Sequence, residues 1–130
     1  MAFLFEWRDF MDKLNRDELF YKIADGDEDA ALEMLSACEN PDFQDKNGYS
    51  YLHIAAQSGM ARVVEYLLSH GAEVDIMDKF GKTPLMVALI GYNGDRTIVD
   101  ILLKYHADIN VSVPSGVTAC KLAEMKGISL

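Results

Sequence analysis

The sequence predicts an all-α solenoid, in which helix-turn-helix repeats are joined by β-turn or hairpin loops and stack side by side. Three observations carry this prediction. One segment of the sequence recurs after 33 residues, a second recurs after 35, and within each copy the apolar residues are spaced as on one face of a helix. A single helix pair cannot bury its own apolar face, so such units must stack, and about three of them make a minimal solenoid.

The internal repeat consists of two pairs of matching segments. Residues 45–56 read DKNGYSYLHIAA and residues 78–89 read DKFGKTPLMVAL, while residues 63–75 read VVEYLLSHGAEVD and residues 98–110 read IVDILLKYHADIN. The change of offset from 33 to 35 places two inserted residues between the halves of the second copy, within residues 90–95. The Asp-x-x-Gly sequence that opens each copy is typical of a turn.

Each copy also carries the signals of two helices. Thr83 and Pro84 indicate a helix start, because the hydroxyl caps free N–H groups and proline at the first helical position loses no needed donor. Apolar residues at 63–64 and 67–68 form one stripe along a second helix. Gly71 can adopt the positive φ that ends this helix.

These segments resemble the ankyrin repeat, whose pattern reads approximately D-x-x-G-x-T-P-L-H-x-A-A, then V-x-x-L-L-x-x-G-A-D-V-N. Partial copies flank the two complete ones, so the resemblance covers about residues 17–130. It implies an N-terminal capping repeat, two full repeats and a truncated C-terminal repeat, in that order at residues 17–44, 45–77, 78–112 and 113–130.

The sequence departs from the ankyrin pattern at several positions. Ser50 and Tyr51 stand where the pattern has Thr and Pro, and Met86 stands where it has His. His53 keeps the histidine, and the resemblance implies a structural role for it through hydrogen bonds within and between repeats. His70 and His106 are expected to end corresponding helices of successive repeats.

An extra N-terminal helix is predicted over residues 1–16. Its apolar side chains recur at spacings of 4, 3 and 4 residues, at Phe3, Trp7, Phe10 and Leu14. This helix either caps the apolar end of the stack or docks into a groove of a partner. Asn15, followed three residues later by Glu18, resembles a capping box and predicts the start of the next helix.

The truncated C-terminal repeat is predicted to lack its second helix. Four side chains would then be partly uncovered, namely Cys120, Leu122, Ala123 and Met125. Either residues 128–130 fold back over them or they form a surface for self-association or a partner.

The chain is acidic, with 12 Lys and Arg against 21 Asp and Glu and a net charge of −9. This charge disfavours binding to nucleic acid and to an anionic membrane surface. Residues 1–44 hold 12 acidic and 4 basic residues, net −8, and residues 45–130 hold 9 and 8, net −1. We therefore expect an acidic surface that steers a basic partner toward the protein. Its proposed residues are Asp25, Asp27, Glu28 and Asp29.

No motif in the sequence supplies catalytic chemistry, so we expect no enzyme, no catalytic residue, no cofactor and no metal site. The acidic residues 25–29 hint at a calcium loop, but Ala30 replaces its turn glycine and Ser36 its bidentate acid. Cys38 and Cys120 have no zinc-type spacing. The sequence also lacks a signal peptide and a run of about 18 apolar residues, so the expected location is the cytoplasm.

The ankyrin resemblance implies that a partner binds the concave side of the stack, formed by the turn tips and the first helices. Tyr49 and Phe80 are aromatic at positions that the fold does not require to be apolar, and such aromatics are typical interface anchors. The alternative for Phe80 is packing under its own turn. The candidate partner-binding residues are Lys46, Asn47, Tyr49, Gln57, Ser58, Met77, Lys79, Phe80, Lys82, Ile90, Tyr92 and Asn93.

The function favoured by the sequence is non-covalent binding of a protein partner by a freestanding module. A small acidic binder suits an inhibitor or immunity-type protein that neutralises a basic protein. The alternatives are a structural protein that forms a homodimer through its C-terminal end, and an adaptor that links two proteins. Replacing Tyr49 and Phe80 with Ala would abolish partner binding without affecting self-association. Polar replacements of Cys120, Leu122 and Met125 would do the reverse.

Overall fold

The computed structural model describes residues 16–130, so the helix predicted over residues 1–16, with both of its alternative roles, lies outside the described residues apart from Arg16. Two isolated antiparallel bridges, Gln44–Ser50 and Ser112–Thr118, are the β-structure of the described range. The predicted all-α class is therefore confirmed. The described helices are α1 (Glu18–Ala24), α2 (Glu28–Leu35), α3 (Tyr51–Gln57), α4 (Ala61–Ser69), α5 (Pro84–Ile90), α6 (Thr97–Lys104) and α7 (Ala119–Met125).

The helices form two layers. In the inner layer α1 packs on α3, α3 on α5 and α5 on α7, and in the outer layer α2 packs on α4 and α4 on α6. Each of the first three inner helices also packs on the outer helix that follows it in the chain. The result is a row of helix pairs with turns along one edge.

Every inner helix begins at a side-chain cap. The caps of the last three, Ser50, Thr83 and Thr118, each accept a hydrogen bond from the backbone N–H three residues further on. The start of α1 differs from the prediction, because Asp17 rather than Asn15 is its cap. The Asp17 carboxylate accepts the Phe20 N–H at 2.8 Å, so α1 begins at Glu18.

The apolar core is continuous along the stack and is formed by the facing sides of both layers. Val63 and Leu67 of α4, Leu85 and Leu89 of α5 and Leu102 of α6 are fully covered. Burying one such side chain contributes about 2 kcal/mol relative to leaving it exposed. Because neighbouring repeats share this core, a single repeat could not bury its apolar face by itself.

The turns before α3 and α5 are organised by buried aspartates. The Asp45 carboxylate accepts hydrogen bonds from the N–H groups of Asn47 and Tyr49, at 2.8 and 2.9 Å. Asp78 makes the same pair of bonds two and four residues further on, both at 2.9 Å. The two turns are joined directly, since the Lys79 N–H donates to the Asn47 carbonyl at 2.9 Å. The carboxylates therefore point inward and hold the backbone, and the tips of the turns point outward.

His53 connects two successive repeats. Its Nδ1 accepts the Ser50 N–H at 3.1 Å, and its Nε2 lies 2.7 Å from the Lys82 carbonyl, to which it donates. The side chain is fully buried, and this burial lowers the pKa of His53 and keeps the ring neutral. These contacts match the structural role that the ankyrin resemblance implies.

The chain after α7 turns back onto the molecule. The Ile128 N–H donates to the Ala123 carbonyl at 2.9 Å, and Arg96 donates to the Ser129 carbonyl at 2.8 Å. Ile128 and Leu130 pack against the core. Of the four residues predicted to be partly uncovered, Cys120 and Leu122 are half-buried and Met125 is 70% exposed. The prediction is wrong for Ala123, which is buried in the apolar core.

Candidate functional site

A concave groove of about 320 Å³ lies where the turns at 45–50 and 78–83 meet the inner helices. Half of its lining was predicted from the sequence, namely Asn47, Tyr49, Gln57, Phe80 and Lys82. The other half consists of Arg16, Phe20, Ile54 and the two turn aspartates Asp45 and Asp78. We call this surface the concave groove.

Tyr49 forms a fixed wall of the concave groove. Its ring stacks on His53 with the ring centroids 4.8 Å apart, and its hydroxyl donates to Gln57 Oε1 at 2.6 Å. Burial, together with the negative charges of Asp78 and Asp45, raises the pKa of Tyr49 to about 12. The side chain is thus half-buried and protonated, and it is shared between the fold and the groove.

Phe80 stands at the tip of the second turn and is 57% exposed. It therefore does not pack under its own turn, the alternative that the sequence left open. The ammonium groups of Lys79 and Lys82 lie 5.1 and 5.9 Å from the centroid of the ring. Both distances allow cation–π attraction, which holds the lysines beside the aromatic surface.

A cavity of about 190 Å³ lies next to the concave groove, along α3 and α5. Tyr49, Gln57 and Lys82 line both spaces, and Ile90 adds an apolar side chain that is 51% exposed. Aromatic, aliphatic and basic side chains thus meet on one side of the inner layer.

The inserted loop lies beside the same layer. Tyr92 and Asn93 line a further cavity of about 190 Å³ together with Gln57. The loop is ordered by Asp95, whose carboxylate accepts bonds from the hydroxyl and the N–H of Thr97 at 2.6 and 2.9 Å. These bonds lower the pKa of Asp95. The predicted loop residues therefore adjoin the groove at Gln57 without lining it.

Four predicted binding residues lie outside these three cavities, and one of them, Lys79, lies beside the Phe80 ring. Lys46 is exposed at the tip of the first turn, Ser58 is half-buried just after α3, and Met77 is 52% exposed. The Met77 carbonyl accepts a bond from Gln44 at 2.9 Å, which ties the two turns together.

The predicted acidic residues lie at the other end of the helices, in the loop between α1 and α2 and in the first turn of α2. Asp27 caps α2 by accepting the Ala30 N–H at 3.2 Å. Glu28 and Asp29 stand in the first turn of α2, and Arg62 of α4 lies 3.3 Å from each of their carboxylates. Part of the acidic character is therefore balanced by a neighbouring repeat, and it is separated from the concave groove by the length of a helix.

Four of the residues around the groove were not predicted from the sequence, although their positions in the repeat indicate them. Ile54 lies three residues before Gln57, and Val87 lies three residues before Ile90. Residues three apart share a helix face, so both follow from the predicted helix-end residues. Arg16 and Phe20 line the same groove as Tyr49. They occupy the positions that Tyr49 and His53 occupy in the next repeat, 33 residues further along the chain.

Within the described residues, no cluster of three or more His, Cys, Asp or Glu side chains is placed to hold a metal ion. Nor is any helix in that range both long enough and apolar enough to cross a membrane.

Two layers of stacked helices, repeated turns and a concave surface with an exposed aromatic define a helical repeat protein. Residues 19–113 match the family model described as ankyrin repeats in three copies, and the chain belongs to the ankyrin repeat family. The resemblance and the predicted ankyrin solenoid are thereby confirmed. Ankyrin repeats are protein–protein interaction modules, so this chain is one as well.

Several curated proteins are similar to the chain. An ankyrin repeat-containing protein of Schizosaccharomyces pombe is 30% identical over 104 residues, which are 80% of this chain and 48% of that protein. An ankyrin repeat and KH domain-containing protein of Caenorhabditis elegans is 40% identical over 80 residues, 60% of this chain and 3% of that protein.

A palmitoyltransferase of Mortierella alpina is 45% identical over 69 residues, 52% of this chain and 12% of that enzyme. The chain thus spans about half of the yeast relative's length and small parts of the other two. The enzymatic activity named in this match belongs to that protein.

Proposed function

We propose that the chain binds a protein partner through the concave groove, with Phe80 as the central contact. The observation that carries this proposal is an aromatic ring 57% exposed at a turn tip. A buried aspartate holds the backbone of that turn, so the ring is presented on a rigid support. Exposed aromatic anchors beside a groove supply most of the energy in many interfaces.

Ile90 and Tyr49 extend the contact area from Phe80. Ile90 is 51% exposed on α5, and Tyr49 forms the wall between the turn and the helices. A partner segment that lies on Phe80 and reaches Ile90 would cross Lys82, which lines both cavities. The groove thus offers an apolar centre with polar side chains around it, the usual arrangement of a protein-binding site.

Capture of partners from a lysate of the source cell by the intact chain, followed by cross-linking, tests this proposal. The baits are the wild type, Phe80→Ala/Ile90→Ala and the control Met77→Ala, a similarly exposed side chain outside the cavities. We expect a partner that the wild type and the control retain and that the double variant loses at least tenfold. A partner retained equally by all three baits would show that the concave groove is not its binding site.

The second candidate is an inhibitor that neutralises a basic protein. It is favoured by the exposed acidic residues of the α1–α2 loop and by the net charge of −8 on residues 1–44. Long-range attraction would accelerate association with a basic partner and would be weakened by salt. This partner would approach the acidic end of the helices, away from Phe80.

The inhibitor candidate is tested by the association rate of the captured partner. Asp25→Asn/Asp29→Asn removes two acidic groups and leaves the Asp27 cap in place, and Glu124→Gln removes one at the opposite end of the chain. A basic partner should associate several-fold more slowly with the double variant and at high salt, but at the normal rate with the control. If the captured partner is acidic, or if its association rate is the same for all three proteins, this candidate is excluded.

A third candidate is a homodimer through α7. Met125 carries it, since it is the one predicted residue of that end that is mostly exposed. Size-exclusion chromatography with light scattering should then report a dimer for the wild type and for Met77→Ser, and a monomer for Met125→Ser. A wild-type monomer at every concentration removes this alternative.

A further inference from the structure

The turn tips carry a row of lysines although the chain as a whole is acidic. Lys46 and Lys79 occupy the same position in successive turns, and the Lys79–Asn47 backbone bond of 2.9 Å stacks those turns on each other. Lys82 adds a third ammonium group beside Phe80. We call these three residues the lysine rim.

The carboxylates closest in sequence to the lysine rim are already used by the fold. Asp45 and Asp78 are buried, and each accepts two backbone N–H bonds. Asp78 also lies 3.8 Å from Lys82, so the charge of that lysine is partly balanced. Within residues 16–130, Lys46 and Lys79 form no ion pair, and both are exposed. Lys46 and Lys79 therefore present uncompensated positive charge to a bound segment, and Lys82 adds a partly compensated one.

An apolar surface lies directly beside this charge. A cavity of about 460 Å³ between the second and third turns is lined by Lys79, Phe80, Lys82, Val113, Pro114 and Ser115. The third turn, residues 113–118, contains no acidic residue, and Val113 stands where the other two turns have an aspartate. Nothing acidic in that turn competes for the two lysines.

The acidic loop is too distant to reverse this local charge. It lies beyond α1, whose seven residues span about 10 Å. At physiological ionic strength the Debye length is about 8 Å, so exposed charges at that separation are largely screened. Contacts at the rim are decided by the lysines rather than by the net charge.

We propose that the concave groove recognises an acidic peptide segment of its partner, with an aromatic or aliphatic side chain on Phe80 and adjacent Asp or Glu carboxylates on Lys79 and Lys82. This inference rests on the proposed function and adds the chemistry of the bound segment. Lys46 would contact a carboxylate further along the same segment. The basic partner of the inhibitor candidate would have to bind elsewhere.

The test is a selection from a random peptide library against the intact protein, followed by fluorescence anisotropy with the enriched peptides. We expect these peptides to carry Asp or Glu next to an aromatic or aliphatic residue. Their affinity should fall at least tenfold for Lys79→Glu/Lys82→Gln and for Phe80→Ala. The matched control Lys121→Glu reverses an exposed lysine that lines none of the cavities and should bind normally. Circular dichroism and the thermal midpoint verify that each variant is folded.

A charge swap makes the test specific. Peptides in which Lys replaces the acidic residues should lose affinity for the wild type and regain it for Lys79→Glu/Lys82→Gln. Enriched peptides that are basic, or that bind the lysine variant as well as the wild type, overturn the inference, as does a library that yields no binder. If affinity depends on Phe80 but not on the lysines, the acidic specificity fails and the concave groove stands as a binding site. If it depends on neither, both proposals fail.

Discussion

The two complete repeats, residues 45–77 and 78–112, have the same backbone and different connections to their neighbours. Both turns are held by a buried aspartate and both inner helices by a hydroxyl cap. The first repeat contacts the next one through the buried ring of His53, whereas the second has Met86 at that position. The turn aspartate and the hydroxyl cap that shape each repeat are thus the same in both. The side chain that joins a repeat to the next one differs.

A second difference lies at the ends of the outer helices. Helix α4 is capped by His70 and followed by Gly71 at φ 90°, whereas α6 is capped by Tyr105 and followed by His106 at φ 68°. The expectation that His70 and His106 end corresponding helices is therefore wrong by one residue. A histidine occupies a left-handed position that favours glycine, which makes the second repeat locally strained.

The largest expected change in the free energy of unfolding comes from substituting a glycine where two turns are in contact. Gly48 has φ +77°, and a Cβ there would lie 2.8 Å from the Lys79 backbone nitrogen, whereas the nearest atom to a Cβ on Gly81 is the Pro114 ring at 3.4 Å. Both substitutions by Ala add backbone strain, but only Gly48→Ala also pushes two turns apart. Urea unfolding should show a loss of about 3 kcal/mol for Gly48→Ala and of about 1 kcal/mol for Gly81→Ala. Equal losses would mean that the turns separate without cost.

Exchanging the residues between repeats should have the next largest effect. His53→Met leaves the buried Ser50 N–H without its ring acceptor and removes the bond to the Lys82 carbonyl. We expect a loss of about 2 kcal/mol in the free energy of unfolding. Met86→His, the reverse exchange, should change it by less than about 1 kcal/mol. The third turn offers a matching acceptor in the Val117 carbonyl, which accepts the Val113 N–H as the Lys82 carbonyl accepts the Asp78 N–H. A stable His53→Met variant would show that packing alone joins the repeats.

The same histidine predicts a pH dependence. Burial lowers the pKa of His53, against the opposing effects of the Lys82 carbonyl and of Asp78 and Asp45. As pH falls through about 6.5, the unfolded chain takes up a proton that the folded chain refuses, so stability is complete above this pH and decreases below it. The wild type should lose more stability than His53→Met between pH 7 and 5. Parallel curves would place the titrating groups elsewhere, since both proteins retain His70 and His106.

The smallest expected effect concerns the helix ends. His106→Gly relieves a left-handed conformation that costs about 1 kcal/mol but increases the entropy of the unfolded chain. We expect a net gain of about 0.5 kcal/mol. Gly71→Ala should cost about 1 kcal/mol through backbone strain alone, since a Cβ there meets no atom within 4 Å. Thermal unfolding checks both, and a destabilised His106→Gly would reveal a role for the imidazole that its exposure does not suggest.

The repeat unit could be predicted from the sequence because its signals are local. A turn or a helix start is fixed by the backbone or side chain of single residues, here Asp78, Gly81, Thr83 and Pro84. Helix α5 begins at Pro84, where these residues predict it. Local signals also mislead when two candidates are adjacent. Asn15 and Asp17 both resemble a cap, and Asp17 is the cap because it lies three residues before Phe20, whose N–H it accepts.

The candidate site was only half predictable, because a groove is formed by residues from different repeats. Tip positions such as Phe80 follow from the family pattern, but their exposure depends on what the next turn offers. Arg16 and Phe20 come from a repeat with little resemblance to the pattern, so their place in the groove requires the three-dimensional stack. The inserted residues indicated that loop residues such as Tyr92 belong to the binding surface. They did not indicate that Tyr92 lies beside Gln57 in a separate cavity.

The inward-facing carboxylates of Asp45 and Asp78 have one more consequence. Because each turn is fastened from inside, the side chains at its tip contribute nothing to holding its shape. Lys46, Asn47, Lys79 and Phe80 can therefore change during evolution without refolding the backbone. A partner also meets a surface whose main chain is already immobilised, so little entropy is lost on binding. Substitutions at a single turn tip can accordingly change which partner is bound while the backbone stays the same.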